Sequence, residues 1–183
     1  MHDRIRRYRP EKLPVVSALA VWTYADPAGA RRLERCLSDG AVGDIAVTDG
    51  AMVTWTRGRA SAQVRELQGM ARTCSLGAFW AMLFGIVVSG PELTSMVGSS
   101  QPALDGSLEG VGVDRGLLVA LRCRLRPGGS AVAAICDESV ASDIGSASMA
   151  VARGAPHLSV PAVSTMRLLT SDQERALRRV FAV

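Results

Sequence analysis

The sequence predicts an α+β domain with a ferredoxin-like sheet, helices on one face of that sheet, and a glycine-rich apolar helical hairpin that interrupts it. Three observations lead to this prediction. Short runs rich in Val, Ala and Ile alternate with segments of helical spacing, as in βαβ units. Apolar residues make up 48% and charged residues 21% of the 183-residue chain, which is an ordinary globular composition. An uncharged stretch, Leu76 to Gly90, separates the two βαβ-like halves.

The first half of the predicted domain contains a strand, a helix and two further strands. Asp26 is a favourable N-cap, and Pro27 suits the first turn of the helix that follows. Asp49-Gly50 lies inside a β-rich segment and predicts a bulge or a tight turn. The predicted elements are a strand at Val15–Trp22, a helix after Asp26 that ends before Gly40, a strand within Asp44–Thr56 and a returning strand at Ala62–Leu67.

The second half repeats the alternation of helices and strands. Ser171 and Glu174 have the spacing of a capping box, which predicts the start of a final helix. Leu177, Val180 and Phe181 form the predicted apolar face of that helix. The predicted elements are a helix at Asp114–Leu125, a buried strand at Ser130–Cys136, a helix at Glu138–Ala152, a strand at Val163–Leu169 and a helix at Asp172–Phe181.

The apolar stretch between the halves carries a regular pattern of small residues. Gly77, Ala81, Gly85 and Ser89 recur every four residues and would form one stripe along a helix. Such stripes allow two backbones to approach closely, in lipid or in a protein interface. The predicted assembly interface comprises Leu76, Gly77, Trp80, Ala81, Phe84, Gly85, Ser89, Gly106 and Gly110.

Three environments are compatible with this apolar helix: the interior of its own domain, a self-association surface and a bilayer. The uncharged window between Arg72 and Glu92 would be about 28 Å long as a helix, against roughly 30 Å for a hydrocarbon core. A single span would, however, place the two halves of the sheet on opposite sides of the membrane. A hairpin would bring Asp105 and Glu109 into the bilayer, where charges are costly.

The residue inventory argues against several chemistries. Lys12 is the single lysine among 21 basic residues, so neither a phosphate-binding Gly-Lys loop nor an interior Schiff-base lysine is available. His2 and His157 are too few and too isolated to predict a metal site or a catalytic base. The net charge of +4 is dispersed and does not favour nucleic-acid binding.

Two further motifs are interpreted structurally. The segment Gly110–Gly116 has Gly-x-Gly-x-x-x-Gly spacing and follows a polar arm rather than a strand, so it predicts a joint and a helix start capped by Asp114. The cysteines form no Cys-x-x-Cys pair, and we expect them to be buried free thiols. They are Cys36, Cys74, Cys123 and Cys136.

Several ordered segments resemble an uncharacterised bacterial family, domain of unknown function 1269, whose members are often labelled predicted membrane proteins. The segments are AMVTW, QVREL, LGAFWAMLFGIVVSG, GVGVDRG, PGGSAVAAI and LTSDQERALRRVF, and the resemblance extends over Val15–Phe181. It implies an α/β domain split by a glycine-rich helical hairpin, and it implies no catalytic residues. The second arm here, TSMVGSSQPALDGSLEG, is polar where family members usually have a Gly/Ala-rich arm.

These observations predict a domain organisation and a function. The chain divides into a basic tail (1–12), a first half (13–69), a hairpin insertion (70–113) and a second half (114–183). We expect a non-enzymatic structural or interaction protein that forms homo-oligomers through helix 72–90, in the cytoplasm or at the inner face of the cytoplasmic membrane. The alternatives are a membrane-embedded protein and a small-ligand module with a pocket lined by Trp55, Trp80 and Met82. No cofactor, metal or nucleic-acid partner is expected.

Overall fold

The computed structural model describes residues 17–38, 47–68, 76–89, 108, 110–144 and 163–181. Its strands are β1 Ser17–Tyr24, β2 Val47–Thr54, β3 Gln63–Glu66, β4 Ser130–Asp137 and β5 Val163–Leu168. Its helices are α1 Gly29–Ser38, α2 Gly77–Ser89, α3 Arg115–Arg124, α4 at 138–144 and α5 Ser171–Phe181. The predicted α+β class is confirmed, because one antiparallel sheet packs with helices contributed by both halves of the chain.

The two halves of the sequence interleave in one five-stranded sheet. The strand order is β3-β2-β4-β1-β5, and all neighbouring strands are antiparallel. Strand β4, from the second half, therefore lies between β1 and β2, from the first half. Ala134 in the middle of β4 pairs with Ala20 on one side and Gly50 on the other. Neither half can complete its backbone hydrogen bonds without the other.

Helices cover both faces of the sheet, so the prediction of helices on one face is wrong. Along β1, Leu19 and Val21 enter one buried cluster, while Ala20 and Trp22 enter another. The first cluster contains α2, α3 and α5, which we call the α2 layer. The second contains α1 and α4, which we call the α1 layer. The uninterrupted apolar run of β4, Ala131 to Cys136, is buried throughout, as is typical of strands covered on both faces.

A β-bulge interrupts β2 where the sequence predicts a bulge or a tight turn. The pairing of β2 with β4 shifts register between Val47 and Asp49. At Gly50, a Cβ atom would lie 2.7 Å from the carbonyl oxygen of Ala133 on β4. Glycine is therefore required there because the backbones of β2 and β4 approach closely.

The helix starts agree with the sequence in two cases. Asp26 accepts a hydrogen bond from the amide of Ala28 (3.0 Å), in the turn that leads into α1. Asp114 is the N-cap of α3 and accepts from the amide of Leu117 (2.7 Å). Both side chains satisfy amides that a helix start leaves without an intrahelical partner.

The start of α5 differs by one residue from the prediction. Thr170 and Gln173 form the reciprocal capping bonds, with the Gln173 amide donating to Thr170 Oγ1 (3.2 Å) and the Thr170 amide donating to Gln173 Oε1 (2.9 Å). Glu174 instead accepts from Ser17 Oγ (2.7 Å) and so ties α5 to β1. Val180 is 60% exposed and does not belong to the apolar face, which contains Leu177.

Candidate interaction surface on helix α2

One side of α2 is part of the protein core. Phe79, Trp80, Leu83 and Phe84 are all buried in the α2 layer. The rings of Phe79 and Trp80 meet edge to face, with 4.9 Å between centroids. The ring of Phe79 also lies 5.4 Å from that of Phe181 on α5. These contacts tie the helix to the sheet and to the C-terminal helix.

A buried carboxylate on β2 holds the N-terminal end of α2. Asp49 accepts a hydrogen bond from the amide of Leu76 through one oxygen (2.9 Å) and from Trp80 Nε1 through the other (2.7 Å). A negative charge at this position also interacts favourably with the helix dipole. The sequence marks Asp49 as a bulge residue and does not indicate that it caps a helix 27 residues away.

An arginine from α3 holds the C-terminal end of the same helix. Arg122 donates from Nη2 to the carbonyl of Ile86 (2.9 Å) and from Nε to that of Val87 (3.3 Å). These carbonyls lie in the last turn, where no backbone N–H groups of a following turn are present to bond them and where a positive charge is favourable. Asp49 and Arg122 therefore fix the two ends of α2 by complementary charge.

The opposite side of α2 faces outward and carries the small residues. Ala78 and Ala81 are exposed, and Gly77 and Gly85 are partly exposed. Apart from its chain neighbours and the backbone of α2 itself, no heavy atom in the described ranges lies within 4 Å of the position where Gly85 would carry a Cβ. Within those ranges, the stripe at Gly85 is therefore not a contact between α2 and its own domain.

The predicted assembly residues separate into three groups. Leu76, Trp80 and Phe84 are buried in the chain's own core and offer no surface to a second copy, so their assignment to an interface was wrong. Gly77, Ala81 and Gly85 lie on the outward side of α2. Gly110 lies in an exposed turn, while the Ser89 side chain and Gly106 are outside the described residues.

The glycine-rich segment before α3 is a tight turn rather than a nucleotide loop. The Leu108 carbonyl accepts from the amides of Val111 (3.1 Å) and Val113 (2.8 Å), and all three side chains are buried. Gly112 has a φ of +86°, and Leu169 occupies the space that a side chain there would need. The interpretation of this segment as the lead-in to a capped helix is confirmed.

Asp114 is held ionised at the end of that turn. The guanidinium of Arg167 on β5 forms an ion pair with its carboxylate. The hydrogen bond from Arg167, and then that from the Leu117 amide, lower the pKa of Asp114 below its ordinary value. The pair connects the start of α3 to an edge of the sheet.

The aromatic residues proposed for a ligand pocket are engaged separately. Trp80 is buried, and its ring N–H donates to Asp49. Trp55 donates from its ring nitrogen to the carbonyl of Arg59 (3.0 Å), within its own loop. Met82 is partly buried against the core. The two indole N–H groups are therefore not free to contact a ligand in a shared pocket.

The described cysteines differ in environment, contrary to the expectation that all are buried. Cys136 on β4 is buried, Cys36 is intermediate and Cys123 is exposed. Burial, and then the charge of Asp137, raise the pKa of the Cys136 thiol to about 12. Cys74 is outside the described residues. Among the residues that are described, no cluster of three or more His, Cys, Asp or Glu side chains could hold a metal ion.

The arrangement defines an α+β domain in which one apolar helix is anchored at both ends and presents small residues outward. The chain belongs to the DUF1269 family of proteins of unknown function, whose model matches residues 74–182. The match covers more than half of the chain and begins just before α2, so it is shorter than the resemblance over Val15–Phe181. No curated protein and no solved structure matches the chain. Within the described ranges, no helix is both long enough and apolar enough to cross a membrane.

Proposed function

We propose that this protein is a non-enzymatic interaction protein that assembles with copies of itself through the outer surface of α2. We define this surface as Gly77, Ala78, Ala81 and Gly85. The observation that carries the proposal is the uncovered position of Gly85, midway along a helix without charged residues. Exposed apolar surface of this kind marks interaction sites in soluble proteins.

The rigidity of α2 supports this role. The helix has 13 residues, its inner side is buried, and Asp49 and Arg122 hold its ends. A surface held in one conformation loses little entropy when it binds, so more of the contact energy is retained as affinity. The anchoring thus favours a preformed interface.

The proposed occupant is a second copy of the same helix. Two helices that each carry small residues can cross with their backbones close together, which increases van der Waals contact. The same patch on both protomers would meet around a two-fold axis, as in most homodimers. The proposed location is the cytoplasm or the inner face of the cytoplasmic membrane.

We also propose that the sheet is ferredoxin-like, extended by one edge strand. The order β2-β4-β1-β5 supports this assignment, because each βαβ connection passes over one strand of the other half. Helices α1 and α4, which follow β1 and β4 in those two connections, lie on the same face. The α2 layer would then be an addition on the face that a ferredoxin-like sheet leaves open.

The Gly85→Leu substitution tests the assembly proposal. The wild-type protein is expected to be an oligomer by light scattering, and the variant is expected to have a lower mass and an unchanged melting temperature. Ser142→Leu is the matched control, because it places the same side chain on an exposed position of α4 in the other layer. This control should leave the mass unchanged.

Other results would reject assembly through α2. A monomeric wild-type protein contradicts the proposal directly. An unchanged mass with a lower melting temperature for Gly85→Leu would mean that another part of the same chain covers the surface. A wild-type protein recovered only in mild detergent, with Gly85→Leu unaltered, would mean that lipid covers it, because lipid accommodates leucine readily.

A further inference from the structure

A cleft rich in arginine lies in the α1 layer, between α1 and the edge strand β3. Its volume is about 290 Å³, which is at the small end for ligand sites. It is separate from the surface of α2, which covers the other face of the sheet. The lining residues are Arg31, Glu34, Arg35, Ser38, Arg65 and Gln68.

Two of the residues that line the cleft, Glu34 and Arg65, form an organised ion pair. Arg65 donates from Nη1 to Glu34 Oε1 (2.7 Å) and to the carbonyl of Glu66 (3.0 Å), and its Nη2 pairs with Glu34 Oε2. The amide of Gln68 donates to the same carboxylate (3.0 Å). The Glu34 side chain is only 8% exposed. Its negative charge is therefore largely shielded from solvent and is matched by Arg65.

The electrostatics keep that carboxylate ionised. Burial alone would raise the pKa of Glu34, but the hydrogen bonds from Arg65 and from the Gln68 amide outweigh burial and lower the pKa. Glu34 and Arg65 neutralise each other. The remaining charges of the cleft are positive, and no other lining residue balances them.

Those other charges belong to two arginines on one face of α1. Arg31 and Arg35 are four residues apart and exposed, so their like charges are neighbours. Among the described residues, neither guanidinium group has a hydrogen-bond or ion-pair partner, although the charge of Arg31 contributes to lowering the pKa of Glu34. The three arginines and one glutamate of the cleft leave a net charge of +2.

We infer that this cleft binds a small phosphate-bearing anion, held by the Arg31 and Arg35 guanidinium groups above the Glu34–Arg65 pair. A guanidinium offers paired N–H donors that match the oxygens of a phosphate group. A dianionic phosphate would balance the net charge of +2. The volume suits inorganic phosphate or a small phosphate ester rather than a large cofactor.

Titration calorimetry on the full chain tests this inference, with inorganic phosphate and glycerol 3-phosphate as probes. We expect saturable binding that weakens as NaCl is added. The Arg31→Gln/Arg35→Gln variant should lose at least tenfold in affinity. The matched control is Arg115→Gln/Arg179→Gln, which removes the same charge from two exposed helical arginines outside the cleft and should stay within about twofold of wild type.

The two probes distinguish the source of the phosphate, and either result supports the site. Equal affinities for the two probes would identify the ligand of the cleft as the free phosphate ion. Tighter binding of glycerol 3-phosphate would identify it as a small phosphate ester. Absence of saturable binding, or an equal loss in the control variant, would overturn the inference. Binding to phosphatidylglycerol vesicles without binding to either soluble probe would also overturn it. Melting temperatures near that of wild type would show that the variants remain folded.

Discussion

The two layers of the protein are built by different means. In the α2 layer, large side chains dominate, and Phe79, Trp80 and Phe84 all come from one helix. In the α1 layer, the aromatic side chains come instead from the sheet, because Trp22 and Tyr24 lie on β1, while α1 contributes the smaller Ala30 and Leu33. The layers also use charge differently. Asp49 is buried against neutral donors, whereas Glu34 is paired with Arg65 beside an open cleft.

This difference shows how one sheet can carry two kinds of surface. Burial of the large apolar side chains on the inner side of α2 stabilises the α2 layer. The small residues on the outer side of the helix are therefore not needed for that stability. In the α1 layer, polar and charged side chains of α1 and β3 line an open cleft. We therefore expect substitutions in the α2 layer to affect stability most, and those in the α1 layer to affect pH dependence and anion binding.

The largest effect is expected for Phe79→Ala. The side chain is fully buried and contacts the rings of Trp80 and Phe181, so its removal should lower the free energy of unfolding by about 3–5 kcal/mol. Leu33→Ala is the counterpart in the α1 layer and should cost about 2–3 kcal/mol. Urea denaturation measures both. An equal or larger loss for Leu33→Ala would break the distinction between the layers.

The next largest effect is expected for Asp49→Ala. It removes the acceptor of two hydrogen bonds and leaves the Trp80 N–H buried without a partner, at a cost of about 3 kcal/mol. Asp49→Asn keeps one acceptor oxygen and should cost less. Asp143→Ala, at an exposed carboxylate on α4, is the control and should cost under about 0.5 kcal/mol.

The coupling between Asp49 and Trp80 can be measured separately. In a double-mutant cycle with Trp80→Phe, the two losses should be smaller together than in sum, because both variants remove the same hydrogen bond. Additive losses would show that Asp49 does not anchor α2 through Trp80.

In the α1 layer, Glu34→Gln should alter how stability depends on pH. The folded pKa of Glu34 lies below its ordinary value of 4.5. The carboxylate therefore stabilises the fold above about pH 4.5, and this contribution is lost as the pH falls through the folded pKa. Because Arg65 is 38% exposed and solvent screens the pair, the substitution should cost only about 1 kcal/mol at pH 7.

Denaturation from pH 7 to pH 3 checks this prediction. The wild-type and Glu34→Gln curves should converge at the acid end, while Glu138→Gln, at an exposed position on α4, should follow wild type throughout. A constant difference between wild type and Glu34→Gln at all pH values would show that the effect is not the ionisation of Glu34.

The last prediction concerns the reactivity of two cysteine thiols in the folded protein rather than its stability. Cys123 on α3 is exposed, whereas Cys136 on β4 is buried with a pKa raised to about 12. Since the thiolate is the reactive form, iodoacetamide should modify Cys123 in the native protein and Cys136 only after unfolding. Peptide mapping by mass spectrometry distinguishes them. Equal native rates would show that β4 is accessible to the reagent.

Local signals in the sequence predicted most elements but not their partners. The Asp114 N-cap and the bulge at Asp49 were predicted because each depends on residue types within one short segment. The capping box of α5 was placed at Ser171 and Glu174, although Thr170 and Gln173 have equivalent chemistry one residue earlier. Both pairs suit a capping box, and the contact of Glu174 with Ser17 on β1 selects between them.

The outward side of α2 was predicted only in part, because periodicity does not say which side of a uniformly apolar helix meets the core. Small and large residues along α2 were both assigned to the interface. In the fold, Leu76, Trp80 and Phe84 face the sheet, and Ala81 faces outward. The cleft of the α1 layer was not anticipated, since Arg65 is 30 or more residues from the arginines of α1 and only strand pairing brings them together.

The sequence by itself determined most of the described secondary structure, the caps at Asp26 and Asp114 and the α+β class, because those depend on the periodicity and chemistry of neighbouring residues. The uninterrupted apolar run of β4, Ala131 to Cys136, also contained the information that both faces of the sheet are covered. Only the tertiary structure decided that Asp49 accepts a hydrogen bond at the N-terminal end of α2 and that Arg122 donates to a carbonyl at its C-terminal end. It likewise decided that Arg65 pairs with Glu34 of α1. These contacts join segments far apart in the chain, so they stabilise the fold only after the strands have paired and the helices have packed on the sheet.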